Sequence, residues 1–563
     1  MTERIPNVRN AADCLRRRAG ARLSELLFRL PVYNVTLTGR RVREMRACAP
    51  DPWPGIAING EAIVAGRFPF AGETVAGDLA LWSGKASPAW QEAFHSFEWL
   101  RDLRALGGEA AHQRARKLVK DWIAANERWS KTAWRGDVMG RRLSSFVAHY
   151  DFFAAGADAA FRESVMGRIA REAKHLARIV PGMLEGAALL SAAKGLALAS
   201  LALPGFSRAF ARAMDLLGAE LPRQILADGG HIERCPSVQL LILRDLVDLR
   251  AALVSAQQPV PGELLNAIDR MAPMLRFFRL GDGGLTVFNG GAEEEGWFAD
   301  LVLSRAEARG KPLPAAPHTG FQRLGAGRAI VVLDVGVPAR LACAGAARAH
   351  AGTLAFEMSM GKDRVVVNCG AHPMRSPPWN AASRATAAHS TLVIADTNSA
   401  DVSPSGLRGG PRKVTAVRVE SAEGVAVEAS HDGYRTLFGL IHARALRLAS
   451  GGDELHGEDA LIAAASRRRK RVERPFAIRF HLHPDAKASL MGDNKGVLVK
   501  LASGLGVRFA AAGGDVALED SVYLGNGTLR RSQQIVVSGT AKAVADGEAA
   551  LVSWSWSRVG YGP

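Results

Sequence analysis

The sequence predicts a multidomain α + all-β chain: a helical N-terminal half followed by an antiparallel β-sandwich. Three observations carry this. The chain has 563 residues, more than one hydrophobic core organises. Its apolar residues recur with a helical period between residues 90 and 280 and with a period of two further on. A proline- and glycine-rich stretch separates the two regimes.

In the first half, Trp99, Leu100, Leu103 and Leu106 recur at helix spacing, as do Leu118, Trp122 and Ile123. Breakers follow at short intervals: Gly107-Gly108, Gly156, Pro181-Gly182, Pro204-Gly205 and Asp228-Gly229-Gly230. Helices of this length joined by short turns imply antiparallel hairpins stacked in series. Met183 to Leu203 is long enough to cross a bilayer. It is rich in Ala and Gly and contains Glu185 and Lys194, so a helix buried on nearly all sides is expected, with no transmembrane segment.

The glycine-dense LGDGGLTVFNGG (Leu280 to Gly291) and the aperiodic GKPLPAAPHTG (Gly310 to Gly320) place the boundary between domains of residues 1–310 and 311–563. Beyond it, Val365 to Val367 form an apolar run. Phe476, Ile478, Phe480 and Leu482 alternate with polar or small residues, and Trp554 and Trp556 alternate with serines. Short strands with Gly/Asp turns make a sandwich. Asn398 to Lys413 reads as a long exposed loop.

Lys plus Arg number 72 against 55 Asp plus Glu, a net charge of +17. That favours an anionic partner, whether nucleic acid, anionic glycan or anionic lipid; no nucleic-acid recognition motif is present, and an acidic polysaccharide or oligosaccharide is what the family resemblance below implies. The five cysteines (Cys14, Cys48, Cys235, Cys343 and Cys369) are scattered, which fits neither a disulfide framework nor a cysteine zinc site and suits a reducing compartment. The basic N-terminus has no apolar core of a signal peptide after it, so a cytoplasmic location is expected.

Four strings resemble the heparinase II/III family. They are HAGTLAFEMSMGKDRVVVNCG (His350 to Gly370), RATAAHSTL (Arg384 to Leu392), DGGHIERCPS (Asp228 to Ser237) and SHDGY (Ser430 to Tyr434). The resemblance covers most of the chain and is closest to a branch without a secretion signal. It implies an (α/α) toroid-like helical domain, a β-sandwich and eliminative cleavage of uronic-acid glycans. It also sets periplasm or cell envelope against the cytoplasmic expectation. By the same resemblance, His350, Asn368 and His389 stand where relatives hold a structural zinc ion. An asparagine replaces the usual aspartate, and its amide is a poorer, uncharged ligand. Arg348 stands where relatives carry a catalytic histidine. Arginine cannot act as an ordinary base, but it can hold a carboxylate.

β-Elimination requires a neutralised carboxylate, a base for the C5 proton and an acid for the leaving oxygen. His231, at a loop-to-helix junction, is a candidate base. Arg234 could pair with a sugar carboxylate; alternatively His231 and Glu233 cap a helix. Asn289 either neutralises a carboxylate or is a turn residue. His431 and Tyr434, flanking an Asp-Gly turn, are the acid/base pair that remains, unless the tyrosine packs on a sheet. Trp134 and Arg141 could form a sugar-binding platform, or a core tryptophan beside a surface arginine. His481 and His483 share a strand face, read as solvated. Arg467 to Arg471 could grip polyanions. Two functions stand: a polysaccharide lyase, or a catalytically degenerate glycan-binding or envelope-associated protein of the same fold. The lyase requires His231, Arg348 and Tyr434 to converge.

Overall fold

The computed structural model describes residues 11–560 except 40–41, 43, 47–50, 79–80, 82–83, 155, 340–347, 373–376, 405, 465–472, 493–495 and 543–546. The basic run Arg467 to Arg471 therefore lies outside the described residues. The helical half ends with Gly296–Ala306, and the first strand of the β half is Ala315–Ala316.

Local chemistry sets the helix ends. Ser87 accepts from the Trp90 amide at the start of Pro88–Ser96, and Asp158 accepts from the Phe161 amide at the start of Ala159–Ile179, each satisfying a donor the helix leaves open. Pro236 occupies the first turn of Pro236–Ser255, where no N–H is needed. The Ala/Gly-rich stretch forms the helix Gly186–Ala202, buried along nearly its whole length. It packs against Gly136–Ala148, Ser207–Gln224 and Pro236–Ser255. Gly140 and Gly195 let the first of these contacts close, since a Cβ on Gly195 would strike the Gly140 backbone. Lys194 is neutralised inside the fold by Asp245 at 2.7 Å and Asp248 at 2.6 Å. Among the described residues no helix is long and apolar enough to cross a membrane.

The first eighty residues hold elements that the periodicity did not announce. Helices Ala11–Arg29, Pro31–Leu37 and Ala57–Val64 precede a hairpin of Arg67–Phe70 and Glu73–Ala76.

Among the described residues the β half is built on two large antiparallel sheets. One has eight strands in the order Val414–Ser421, Gly424–His431, Leu440–Ala449, Glu454–Ala463, Glu548–Arg558, Gly506–Ala512, Gly496–Lys500, Lys487–Leu490. The other has nine and runs from Asp515–Tyr523 through Arg530–Ala541, Arg474–Leu482, Asp363–Val367, Phe356–Met360, Ala329–Asp334 and Phe321–Ala326 to Ala315–Ala316, with Leu392–Ile394 beside Arg474–Leu482. Period-two patterning buries Phe476, Ile478, Phe480 and Leu482 on one side and Trp554 and Trp556 on the other. The Phe480 and Trp554 rings meet edge to face, centroids 4.8 Å apart.

Asn398 to Lys413 is not one exposed loop. It contains a hairpin of Asp401–Ser403 and Gly406–Arg408, and Ser399 is buried, its amide donating to Thr386 Oγ1 at 2.9 Å. The serine and threonine satisfy backbone groups that a solvated loop would leave to water.

Candidate functional site

The two halves meet along a polar seam, and most of the sequence-selected residues lie in it. The DGGHIER string explains why. Asp228 accepts from the amides of His318 (2.8 Å) and Thr319 (2.7 Å) in the β half. Gly229 has φ +84°, and a Cβ there would meet the Arg270 carbonyl, while one on Gly230 would meet the Thr319 side chain. The two glycines thus permit close approach rather than marking a flexible loop.

His231 follows them and is 1% exposed. Its Nδ1 accepts from the Glu233 amide at 3.2 Å, and Nε2 faces Gln224 Oε1 at 3.2 Å. Both ring nitrogens are engaged in a neutral ring whose pKa burial pushes down, with Arg348 adding to that effect. Glu233 accepts from the Ala187 amide at 2.8 Å, at the start of Gly186–Ala202. The capping alternative thus describes Glu233, although the capped helix is Gly186–Ala202 and not the one that follows it in sequence.

Arg234 is not placed to take a sugar carboxylate. Its guanidinium is 6% exposed, pairs with Asp334 across the seam, and donates to the carbonyls of Thr319 (2.6 Å) and Gly320 (3.1 Å). Asn289 is likewise committed. Its Nδ2 donates to the Arg234 carbonyl at 3.0 Å and its Oδ1 accepts from the His350 amide at 3.3 Å. It takes a left-handed backbone, φ 50°, which asparagine tolerates. A buried amide engaged at both ends is not turned toward a substrate.

In the β half, His350 Nδ1 faces His389 Nε2 at 3.0 Å, and His389 Nδ1 donates to the Ala385 carbonyl at 2.7 Å. Burial pushes His389 down to about 4 and holds His350 well below the usual histidine range. The two rings could share an ion. Asn368 does not complete the set, because its Oδ1 accepts from the Ser390 amide (3.0 Å) and its Nδ2 donates to Glu357 (2.9 Å). Two neutral nitrogens and a committed amide fall short of a zinc site. Among the described residues no group of three His, Cys, Asp or Glu side chains is placed to hold a metal.

Glu357 was not foreseen. It is fully buried and accepts from the Val287 amide of the helical half (3.1 Å) and from Asn368. Burial pushes its pKa up to about 7, against those donors and nearby Arg364. Nothing in the strand Phe356–Met360 distinguishes it in sequence from a solvent-facing glutamate. A second cluster also escaped notice: Tyr523 donates to Glu293 Oε1 at 2.5 Å, and His483 Nε2 lies 3.0 Å from the same oxygen. His481 is 4% exposed and bonded to Ser521 and the Ala387 carbonyl. The histidine-bearing face is therefore buried, contrary to the solvated reading.

His431 and Tyr434 do not reach the seam. Tyr434 lies in the sandwich core, fully buried, its hydroxyl donating to the Leu392 carbonyl at 3.0 Å. Burial raises its pKa above the usual tyrosine range and pushes His431 well below the histidine range. His431 Nε2 faces His442 Nδ1 at 3.3 Å, and His442 bonds Asp459, which takes two further bonds from Arg444. This is a closed structural network, so the acid/base pairing fails on access. Trp134 also proves to be core, 2% exposed, with Arg168 over its ring at 5.2 Å. Arg141 by contrast lines a cleft within the helical half. Of the predicted catalytic set, only Arg348 is exposed.

Comparison with known proteins places these features. Residues 77–298 match the heparinase II/III N-terminus, and residues 308–555 match the heparinase II/III-like C-terminal family. The chain belongs to the heparinase II/III family. Among solved structures it is similar to heparinase III, with a TM-score of 0.72 at 15% identity, covering 98% of this chain and 92% of that one. It is also similar to the heparan sulfate lyase HepC of Pedobacter heparinus, with a TM-score of 0.57 at 15% identity, covering 94% and 88%. At those identities the likeness shows the fold. A curated relative, FtsZ-localized protein C of Caulobacter vibrioides, is 34% identical over 514 residues, 87% of each chain.

Proposed function

We propose that this family member is a glycan-binding or envelope-associated protein that keeps the lyase fold without performing β-elimination. One observation carries the reading: the residues chosen to supply base and acid are sealed inside the protein with their polar atoms satisfied. His231 is closed off at the seam, and Tyr434 is in the sandwich core. A general acid or base must come within hydrogen-bonding reach of the proton it moves. Tyr434 and Tyr523, the described tyrosines of the β half, are both fully buried. Arg348 remains exposed and can hold a carboxylate, not deprotonate a sugar.

The similarity to a protein named for localisation with FtsZ supports a role at the division site, at the boundary of cytoplasm and envelope. The net charge of +17 suits an acidic glycan there.

The test is an ultraviolet assay for unsaturated uronate on heparin, heparan sulfate, alginate and bacterial exopolysaccharides, run beside glycan binding over a salt series. Salt-sensitive binding without turnover is expected. Turnover that His231→Ala abolishes would restore the lyase reading. A fluorescent fusion in the source cell should follow FtsZ; a uniformly dispersed signal would remove the division-site part.

A further inference from the structure

The helical half contains a cleft that neither the seam nor the lyase chemistry accounts for. It has a volume of about 420 Å³ and lies between the tip of the Arg67–Phe70/Glu73–Ala76 hairpin, the helix Pro88–Ser96 and its following turn. An inner extension of about 50 Å³ continues toward Lys194. Glu98, Arg101, Arg141 and Arg244 line both spaces and form the neck between them.

Most charges around the cleft are already neutralised. Arg101 is held by Asp51 at 2.7 Å, Lys194 by Asp245 and Asp248, and Glu92 by Arg135 at 2.7 Å. Asp102 accepts from the Ile56 amide at 2.8 Å. Arg141 and Arg244 are different. Arg141 reaches the Asp137 carboxylate at 3.4 Å, the Asp137 carbonyl at 3.5 Å and Glu98 at 3.9 Å, all at or beyond the limit of a useful hydrogen bond. Arg244 donates Nη2 to Glu98 at 3.0 Å and to Asp245 at 3.2 Å, but its Nε is buried without a partner among the described residues. The two guanidiniums therefore share Glu98, each also reaching a second carboxylate, Asp137 or Asp245, and neither fork is filled bidentately by one partner. A bidentate anion engages a guanidinium fork more fully than these long or single contacts do.

We propose that this neck binds the anionic group of a small carboxylate- or phosphate-bearing ligand, which takes the place that Glu98 holds between Arg141 and Arg244. Glu98 sits on a turn, its side chain 30% exposed, and can swing outward into the larger space. The outer volume admits the body of a ligand the size of a monosaccharide or nucleoside. Glu98 is then an internal competitor that holds the site closed to weak anions. The site does not rest on the glycan reading, since it lies inside the helical half and uses none of the seam residues.

Calorimetric titration of the full-length protein with galacturonate and, separately, inorganic phosphate tests the proposal. Wild type should bind one of them weakly. Glu98→Gln, which removes the competing charge, should tighten that binding about tenfold. Arg141→Gln in the Glu98→Gln background should abolish it, while Arg408→Gln, at an exposed position in the β half, should leave it unchanged. Ala93→Phe should weaken binding by narrowing the mouth without altering a charge. A preference for galacturonate assigns the site to carboxylates, and one for phosphate assigns it to phosphoryl groups. Circular dichroism and the thermal midpoint establish that each variant is folded. The proposal is overturned if neither anion binds Glu98→Gln at millimolar concentration, or if Arg141→Gln binds as well as its parent.

Discussion

At the residue scale, side chains of the family strings are engaged in bonds that hold the fold. Tyr434 is the clearest case. A tyrosine after an Asp-Gly turn looks presentable to a cleft, but its ring fills the sandwich core and its hydroxyl answers one backbone carbonyl. Tyr434→Phe should cost about 1 kcal/mol in chemical denaturation and leave glycan binding intact; a selective loss of binding would return the residue to a functional role. Glu357 carries a pH prediction. Its folded pKa is raised to about 7, above the carboxylate range of an unfolded chain, so the folded state holds the proton more tightly. The stability it contributes is fully present below the unfolded value and is lost as pH rises through about 7. Glu357→Gln should flatten the fall in unfolding free energy between pH 5 and pH 8. An unchanged slope would show that the carboxylate is ionised throughout, as the Val287 amide and the amide and side-chain N–H of Asn368 favour.

At the element scale, Gly186–Ala202 shows how composition becomes architecture. Its small residues suit close packing on every side, as at Gly140 and Gly195, and its lone lysine needs two aspartates from one neighbouring helix. The need for burial was legible in the run Met183 to Leu203; the partners were not, because Asp245 and Asp248 lie some fifty positions away. Lys194→Ala should destabilise the fold by about 3–5 kcal/mol, because it removes the ammonium held between two buried carboxylates, leaving Asp245 with only the 3.2 Å bonds from Arg244 and Ser191. Lys194→Met with Asp245→Asn and Asp248→Asn should recover much of that loss. Equal losses from both variants would mean the helix depends on packing alone.

At the scale of the whole molecule, Arg234 ties the halves together. It joins Asp334 and the β-half carbonyls of Thr319, Gly320 and Val337 while the Asn289 amide holds its own carbonyl. Arg234→Ala should lower the unfolding free energy by about 3–5 kcal/mol and separate the unfolding of the two halves in calorimetry. A single, slightly shifted transition would show that Glu357, Asp228 and Glu293 suffice to hold the seam.

The sequence by itself determined the order of architectures, the buried Ala/Gly helix and the family, because periodicity and breakers report local backbone preference and the motif strings sit at fixed places on a conserved fold. It also singled out His231, Arg234, Asn289 and His350 one by one, and the structure places them along one seam. Only the tertiary structure decided what those side chains face. Whether a histidine meets solvent or the glutamine seven positions before it, and whether an arginine meets a sugar or the aspartate a hundred positions after it, depends on how the chain packs. Burial, which sets protonation and access together, is a property of the packed molecule and of no local string.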